Sequence, residues 1–268
     1  MTNDDLPVAV GLSESVGWPH TTNDWSVALQ IGHGTLATDG DEVVGVMLWW
    51  PQGSKHATLG LAIVPEAHQR RGIGRLLIDE TLRQAGDRAV SLCGTAEGLR
   101  LYERVGFVAH GLVHQFQGIA SPSMKSEIDS SLVDAVDLAD LVRLDTAVDG
   151  RNRSDLLRAI HADAEVLGLE QDGVLVGWAM CRPFGRGHVI GPVVATSVTD
   201  AAQLAEPFLR RHAGSFVRLD TPTDSGLSTL LASHGLEQVG EVVAMTRGPS
   251  PSSAGPARRF ALASQAFG

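Results

Sequence analysis

Apolar and polar positions along this chain fall into short runs whose spacing names the elements. Val43 to Trp50 and His56 to Val64 are apolar runs of strand length. Gly34 to Ala37 precedes the first of them across Thr38-Asp39-Gly40-Asp41, a hairpin signal. Pro65 lacks a backbone N–H and stops the second run. Past it, Ile73, Leu76 and Leu77 fall at the i, i+3, i+4 spacing of one helix face. Ala89 to Cys93 reads as a short buried strand, and Thr95 as the cap of a helix with Leu99, Tyr102 and Val105 on one side. Gly106 is its stop, and Val108 to Phe116 supplies the last strands of this half. The first ten residues, polar and then apolar, read as an opening strand. Asn23 or Asp24 then caps a short helix through Leu29.

The pattern then repeats. Gly118 to Ser126 is a linker by composition. Leu138, Leu141, Val142 and Leu144 predict an amphipathic helix, and Ser154 to Ala162 a second. Glu165 to Glu170 and Val174 to Cys181 form a hairpin across Gln171-Asp172-Gly173. The strand Val189 to Ala195, a helix over Asp200 to His212, the strand Phe216 to Leu219 and a helix over Ser225 to His234 follow. LLASHGLEQVG parallels LYERVGFVAHG, which suggests a degenerate internal repeat. The fold class is α/β with mixed sheets, divided into residues 1–118, residues 127–248 and a flexible segment 249–268. Within that last segment PSPSSAGPA is the loosest stretch, and Arg258 to Ala263 is long enough to return as a final element.

Chemistry concentrates in Gln69-Arg70-Arg71-Gly72-Ile73-Gly74, a basic turn between strand and helix. Its glycines keep Cβ atoms away from whatever lies against the backbone. Free N–H groups at the helix start make an anion site, with a pyrophosphate as the first candidate. The plainer alternative is a basic surface turn. A dinucleotide fingerprint needs a third glycine, and a Walker loop needs Gly-Lys-Ser/Thr; both are absent here.

Composition narrows the partners. Across 268 residues the net charge is −10, which argues against nucleic acid and leaves the basic loop as a local site for a small anion. Cys93 and Cys181 sit in apolar runs and read as buried free thiols rather than a disulfide or metal pair; no metal site is expected. No apolar run approaches the roughly 20 residues that span a bilayer, and no signal peptide is visible, so no membrane partner and a cytoplasmic location are expected.

QRRGIG after a strand ending in Val-Pro, followed by LYERVGF after the next strand, resembles the GCN5-related N-acetyltransferases (GNAT), in that family's order and spacing. The resemblance implies two tandem acetyltransferase-like domains, the first binding acetyl-coenzyme A through Gln69, Arg70, Arg71, Gly72, Ile73, Gly74 and Arg75. It also implies that Ile63 and Val64 pair with the pantetheine arm and that Tyr102 protonates the departing thiolate. Thr95 stands where the family often has asparagine. The second half lacks both the basic Gly-x-Gly turn and the tyrosine, Leu230-Leu231 replacing Leu-Tyr, and is expected to shape the acceptor pocket.

Acceptor and base are less defined. Trp18, His20, Asp24 and Trp25 cluster in a region that lies over the acceptor site in the family; a cover for the sheet edge is the alternative. His20, Asp24 and His33 are candidate bases, because the strand before the loop lacks a glutamate. Arg182, Arg186 and His188 flank Pro183-Phe184-Gly185, a composition suited to a carboxylate or to plain solvation. The expected activity is acetyl transfer to a small-molecule amine, one that also carries an acid group if the arginine loop holds a carboxylate, by a monomer or homodimer. A non-catalytic acyl-coenzyme-A sensor and a peptide or protein acetyltransferase are the alternatives.

Overall fold

The computed structural model describes residues 1–122, 131–134, 136–253 and 255–268. Its first half runs α1 (Leu6–Ser15), α2 (Thr22–Gln30), β1 (His33–Asp39), β2 (Glu42–Gln52), β3 (His56–Ile63), α3 (Ile73–Ala85), β4 (Ala89–Gly94), α4 (Leu99–Arg104) and β5 (Val108–Ile119). The second runs β6 (Leu132–Val133), α5 (Leu138–Asp149), α6 (Ser154–His161), β7 (Glu165–Gln171), β8 (Val174–Phe184), β9 (Gly187–Ala195), α7 (Val198–Arg211), β10 (Phe216–Pro222), α8 (Ser228–Ser233), β11 (Glu237–Arg247) and β12 (Arg258–Ala261).

Five local expectations need correction. The opening segment is the helix α1, with Ala9 and Leu12 buried and Pro7 in its first turn, where a missing N–H costs nothing. Helix α2 is capped by Thr21, not Asn23 or Asp24. Asp24 is the reciprocal member of a capping box, accepting from Thr21 N–H at 2.7 Å. Helix α4 starts four residues beyond Thr95, after Gly98. Leu76 is 67% exposed, and the buried face of α3 is Ile73, Leu77, Ile78 and Thr81. The linker expected from Gly118 also begins late, because Gly118 and Ile119 end β5; 123–126 lie outside the described residues.

All twelve strands join one sheet among the described residues, in the order β1-β2-β3-β4-β11-β5-β10-β9-β8-β7-β6, with β12 on β9. The halves exchange their last strands. β11 lies antiparallel between β4 and β5, while β5 pairs antiparallel with β10 over Phe216↔Ile119 to Pro222↔Val113. One face of β2–β4 carries α3 and α4 over Leu59, Ile73, Leu77, Val90 and Tyr102. Helix α7 covers the β7–β9 part over Leu204, Phe208 and Val193. On the opposite side α1, α2, α5 and α6 share one core, in which Trp25, Leu48 and Leu61 meet Leu141, Leu157 and Trp178.

Parallel strands part at equivalent places in the two halves. β3 and β4 pair from His56↔Ala89 to Leu59↔Leu92 and no further. β9 and β10 pair only at Val217↔His188 and Arg218↔Val189. The second gap is filled by the chain itself, because β12 pairs with β9 from Arg258↔Ala195 to Ala261↔Val193 and Leu262 N–H donates to the Asp220 carbonyl at 2.8 Å. Far from a flexible end, this stretch buries Phe260, Leu262, Ala263 and Phe267.

Candidate active site

The open gap between β3 and β4 organises the site. Within β3 the register against β2 shifts between Leu48↔Gly60 and Val46↔Ile63, and Leu61 takes φ +48°. Such a bulge reverses the alternation of side chains. Leu59 therefore faces α3, whereas Leu61 and Ile63 join the core on the opposite side. Beyond Leu59 the strand presents unpaired main-chain groups toward β4.

At the upper end of β3 the basic loop leads into α3. Gly72 caps that helix at φ +85°, with no side chain bonded to the free N–H groups, and a Cβ there would meet nothing within 4 Å. Open space therefore lies beside uncapped amides at the positive end of a 13-residue helix. The Gln69 amide donates to the Val64 carbonyl at 3.1 Å and ties the loop to the strand end. Arg70 is exposed at φ +60°, whereas Arg71 pairs with Asp39 at 2.7 Å and Arg75 with Asp79 at 2.6 Å.

Tyr102 packs on the α3 side, 8% exposed, its ring 5.9 Å from Phe107. A Cβ on Gly98 would stand 2.7 Å from the ring, and one on Gly94 3.1 Å, so both glycines make room for it. Burial pushes the phenol up to about 12. Thr95 lies on the rim of β4 and its hydroxyl bonds Glu97, which lowers that carboxyl.

On the other side of the gap lies a cavity of about 290 Å³. Gly60 and Leu61 of β3 and Cys93 and Thr95 at the end of β4 form its floor; Trp18 and His20 face Phe184, Arg186 and Arg218 across it. His20 sits 5.8 Å from Trp18 and 5.5 Å from Phe184, and its Nδ1 has no protein partner. Desolvation lowers it to about 4, against a smaller upward pull from Asp24. Burial raises the Cys93 thiol to about 12, so it presents no thiolate to the cavity.

The remaining candidates sit elsewhere. Trp25 is fully buried, donating to Ser13 Oγ at 3.0 Å. Asp24 Oδ2 serves the α2 capping box and also accepts from Gly185 N–H at 3.1 Å, joining the two halves. His33 is stacked on Trp49 at 4.7 Å, away from the cavity wall. Arg182 is buried behind the wall, donating to the Ala263 carbonyl at 3.2 Å with its guanidinium 5.0 Å from the Phe184 ring. Sequence reasoning missed Gln115, Gln117, Arg218 and the segment Ser264–Ala266, all of which line the cavity. Arg218 shares Asp220, buried on the same strand, at 2.9 Å.

Models of the GNAT acetyltransferase domain match twice, over residues 22–128 and 141–256. The chain belongs to the GNAT acetyltransferase family. It is an acyltransferase with two such domains in tandem. The uncharacterized N-acetyltransferase YitH of Bacillus subtilis is 30% identical over 223 residues, 80% of this chain and 77% of that protein. A Pyrococcus horikoshii structure described as an acetyltransferase covers 100% of this chain and 94% of its own at 22% identity, with a TM-score of 0.84. A tandem GNAT protein from the clavulanic acid biosynthesis pathway has a TM-score of 0.62 at 17% identity, covering 93% of this chain and 96% of its own. The family uses acetyl-CoA, and the uncapped α3 start, the gap and the open space at Gly72 fit that co-substrate. Among the described residues no helix is long and apolar enough to cross a membrane.

Proposed function

We propose that this acyltransferase passes an acetyl group from acetyl-CoA to the amine of a small molecule held in the 290 Å³ cavity. One observation carries the reading: the β3–β4 ladder ends at Leu59↔Leu92, leaving a gap with a free helix start at one end and a partly open cavity of mixed polar and apolar lining on the far side. The diphosphate lies on the amides of Gly72, Ile73 and Gly74, with Arg70 adding charge. Gln69 holds the loop in place, and Arg71 and Arg75 form its rim. The pantetheine arm runs as an added strand along Gly60 to Val64, with Thr95 opposite.

The reaction needs a thioester held in line with an amine, an oxyanion donor and help for the leaving thiolate. The main-chain N–H near Val64 is the oxyanion donor. The Tyr102 hydroxyl donates to the departing sulfur. Its proton is held more tightly than that of a free thiol, whose pKa is roughly 8.5. Its contribution is therefore a hydrogen bond that strengthens as charge builds on sulfur, while the net proton comes from the amine. His20, neutral with a free ring nitrogen, is the group in the cavity placed to take that proton, directly or through water. The Asp24 carboxylate, held in the α2 capping box, favours the proton on His20 electrostatically.

Trp18 and Phe184 suit the apolar part of the acceptor, and Arg186 and Arg218 an acid group. Only the first half takes the cofactor. In the second, Ser197 Oγ caps α7 by accepting from Asp200 N–H at 3.1 Å, the Asp200 carboxylate stands in the first turn, and β12 fills the gap. A screen of small amines, with and without a carboxylate, read by release of free thiol, tests the reading. Turnover of at least one amine is expected. An acyl-CoA sensor would bind acetyl-CoA and turn over none.

A further inference from the structure

The acceptor cavity has a wall that no acetyltransferase motif supplies: Ser264, Gln265 and Ala266. Their position is fixed from both sides. β12 is lodged between β9 and β10, and the chain then crosses Gly191, where a Cβ would stand 1.9 Å from the Leu262 carbonyl oxygen. It next lies on Gly60 of the cofactor strand, where a Cβ would stand 2.9 Å from Ala266 Cα. The strand that closes the gap of the second half thus delivers three residues to the reaction site of the first.

Two of them carry polar groups. Ser264 is 3% exposed and its Oγ has no partner, as is true of His20 Nδ1 in the same cavity. The Gln265 amide nitrogen is shared between Gln115 Oε1 at 3.3 Å and Asp220 Oδ1 at 3.2 Å. That orients the side chain and commits its donor end, leaving Oε1 as an acceptor. A buried hydroxyl without a partner is costly, and a ligand that satisfies it recovers the cost.

Resting on the reading of this cavity as the acceptor site, we propose that Ser264 and Gln265 are acceptor-binding residues that hydrogen-bond a hydroxyl near the reacting amine. Amino alcohols are then favoured over amines of the same shape that lack the hydroxyl. An apolar isostere leaves Ser264 Oγ unpaired, whereas an amino alcohol donates to Gln265 Oε1 and accepts from Ser264.

The test uses the full chain and pairs of isosteric amines, each an amino alcohol and its deoxy counterpart, at saturating acetyl-CoA with free thiol as readout. Wild-type protein is expected to favour the hydroxylated member at least tenfold in kcat/KM. Ser264→Ala and Gln265→Ala are expected to reduce that preference to less than threefold, chiefly through KM, with acetyl-CoA affinity within twofold of wild type. The second variant stands in if the first melts early. A wild-type enzyme without the preference, or variants that keep it, overturns the proposal alone. Acetyl-CoA binding with no amine turned over overturns the acceptor reading, and the proposal with it.

Discussion

Tyr102 belongs to the core on the α3 side of the sheet and His20 packs on Trp25 of the core on the opposite side, and both are governed by desolvation. The phenol, pushed up to about 12, stays protonated across the working range. No alkaline limb of the rate profile below about pH 11 should come from it, and Tyr102→Phe should leave the profile's shape intact. That variant should lower kcat by roughly 10²-fold or more while leaving the acetyl-CoA Kd within twofold, measured by steady-state kinetics and titration calorimetry. For His20 the sign runs the other way. Its folded pKa of about 4 lies below the usual 6.5 of an imidazole, so between those values the unfolded chain binds the extra proton. Stability is full above pH 6.5 and falls as pH drops toward 4, by on the order of 3 kcal/mol in the limit. His20→Gln should flatten the loss of melting temperature between pH 7 and pH 5; an unchanged slope would assign the acid sensitivity to other groups. Tyr102 was legible in the sequence because LYERVGF fixes it to a short helix after a strand. The separation of His20 from Asp24 and Trp25 was not, because residues so close in sequence, on a loop and the helix it enters, look alike until packing decides which of them face the cavity.

Among the elements, the α3 start is where the proposed function places the diphosphate. Gly72→Val puts a β-branched side chain at φ +85° and into the space beside the free amides. The backbone strain alone costs about 1–2 kcal/mol. Gly40→Val provides the control, since Gly40 is also left-handed (φ +61°) with nothing within 4 Å of a Cβ, but lies in the β1–β2 hairpin. Both variants should lose similar stability, and only Gly72→Val should weaken acetyl-CoA binding, by at least tenfold in titration. Equal affinities would mean that the loop does not hold the diphosphate. Loop and helix were readable because glycine spacing and helical periodicity are local. Leu76 was misplaced because the i+3 position passes for core by period alone. Its exposure follows from how α3 lies on β1 and β2, which no local pattern records. The bulge at Leu61 escaped for a similar reason: LGLAIV is apolar at nearly every position, so reversing the alternation leaves no mark.

Over the whole molecule, the exchange of β5 and β11 makes the two domains one sheet. Each half offers its last strand to a partner equivalent to its own, so the hydrophobic pattern satisfies either connection equally well. The exchange was therefore invisible in a sequence whose two halves were otherwise plain, down to the parallel LYERVGFVAHG and LLASHGLEQVG. Residues 1–122 expressed alone would leave β4 and β5 without their seam, and should show no cooperative melt by circular dichroism. The full chain should unfold in a single transition. The final stretch was read as loose because Pro, Ser and Gly dominate 249–256, but Phe260 beyond it is 1% exposed. Phe260→Ala should cost about 3–5 kcal/mol in denaturant unfolding.

The most direct measurement is a crystal structure of the protein with coenzyme A. One molecule per chain is expected, its diphosphate within hydrogen-bond distance of the Gly72–Gly74 amides, its arm between β3 and β4 and its sulfur toward Tyr102. Coenzyme A displacing β12 in the second half, or a sulfur turned away from Tyr102, would contradict it.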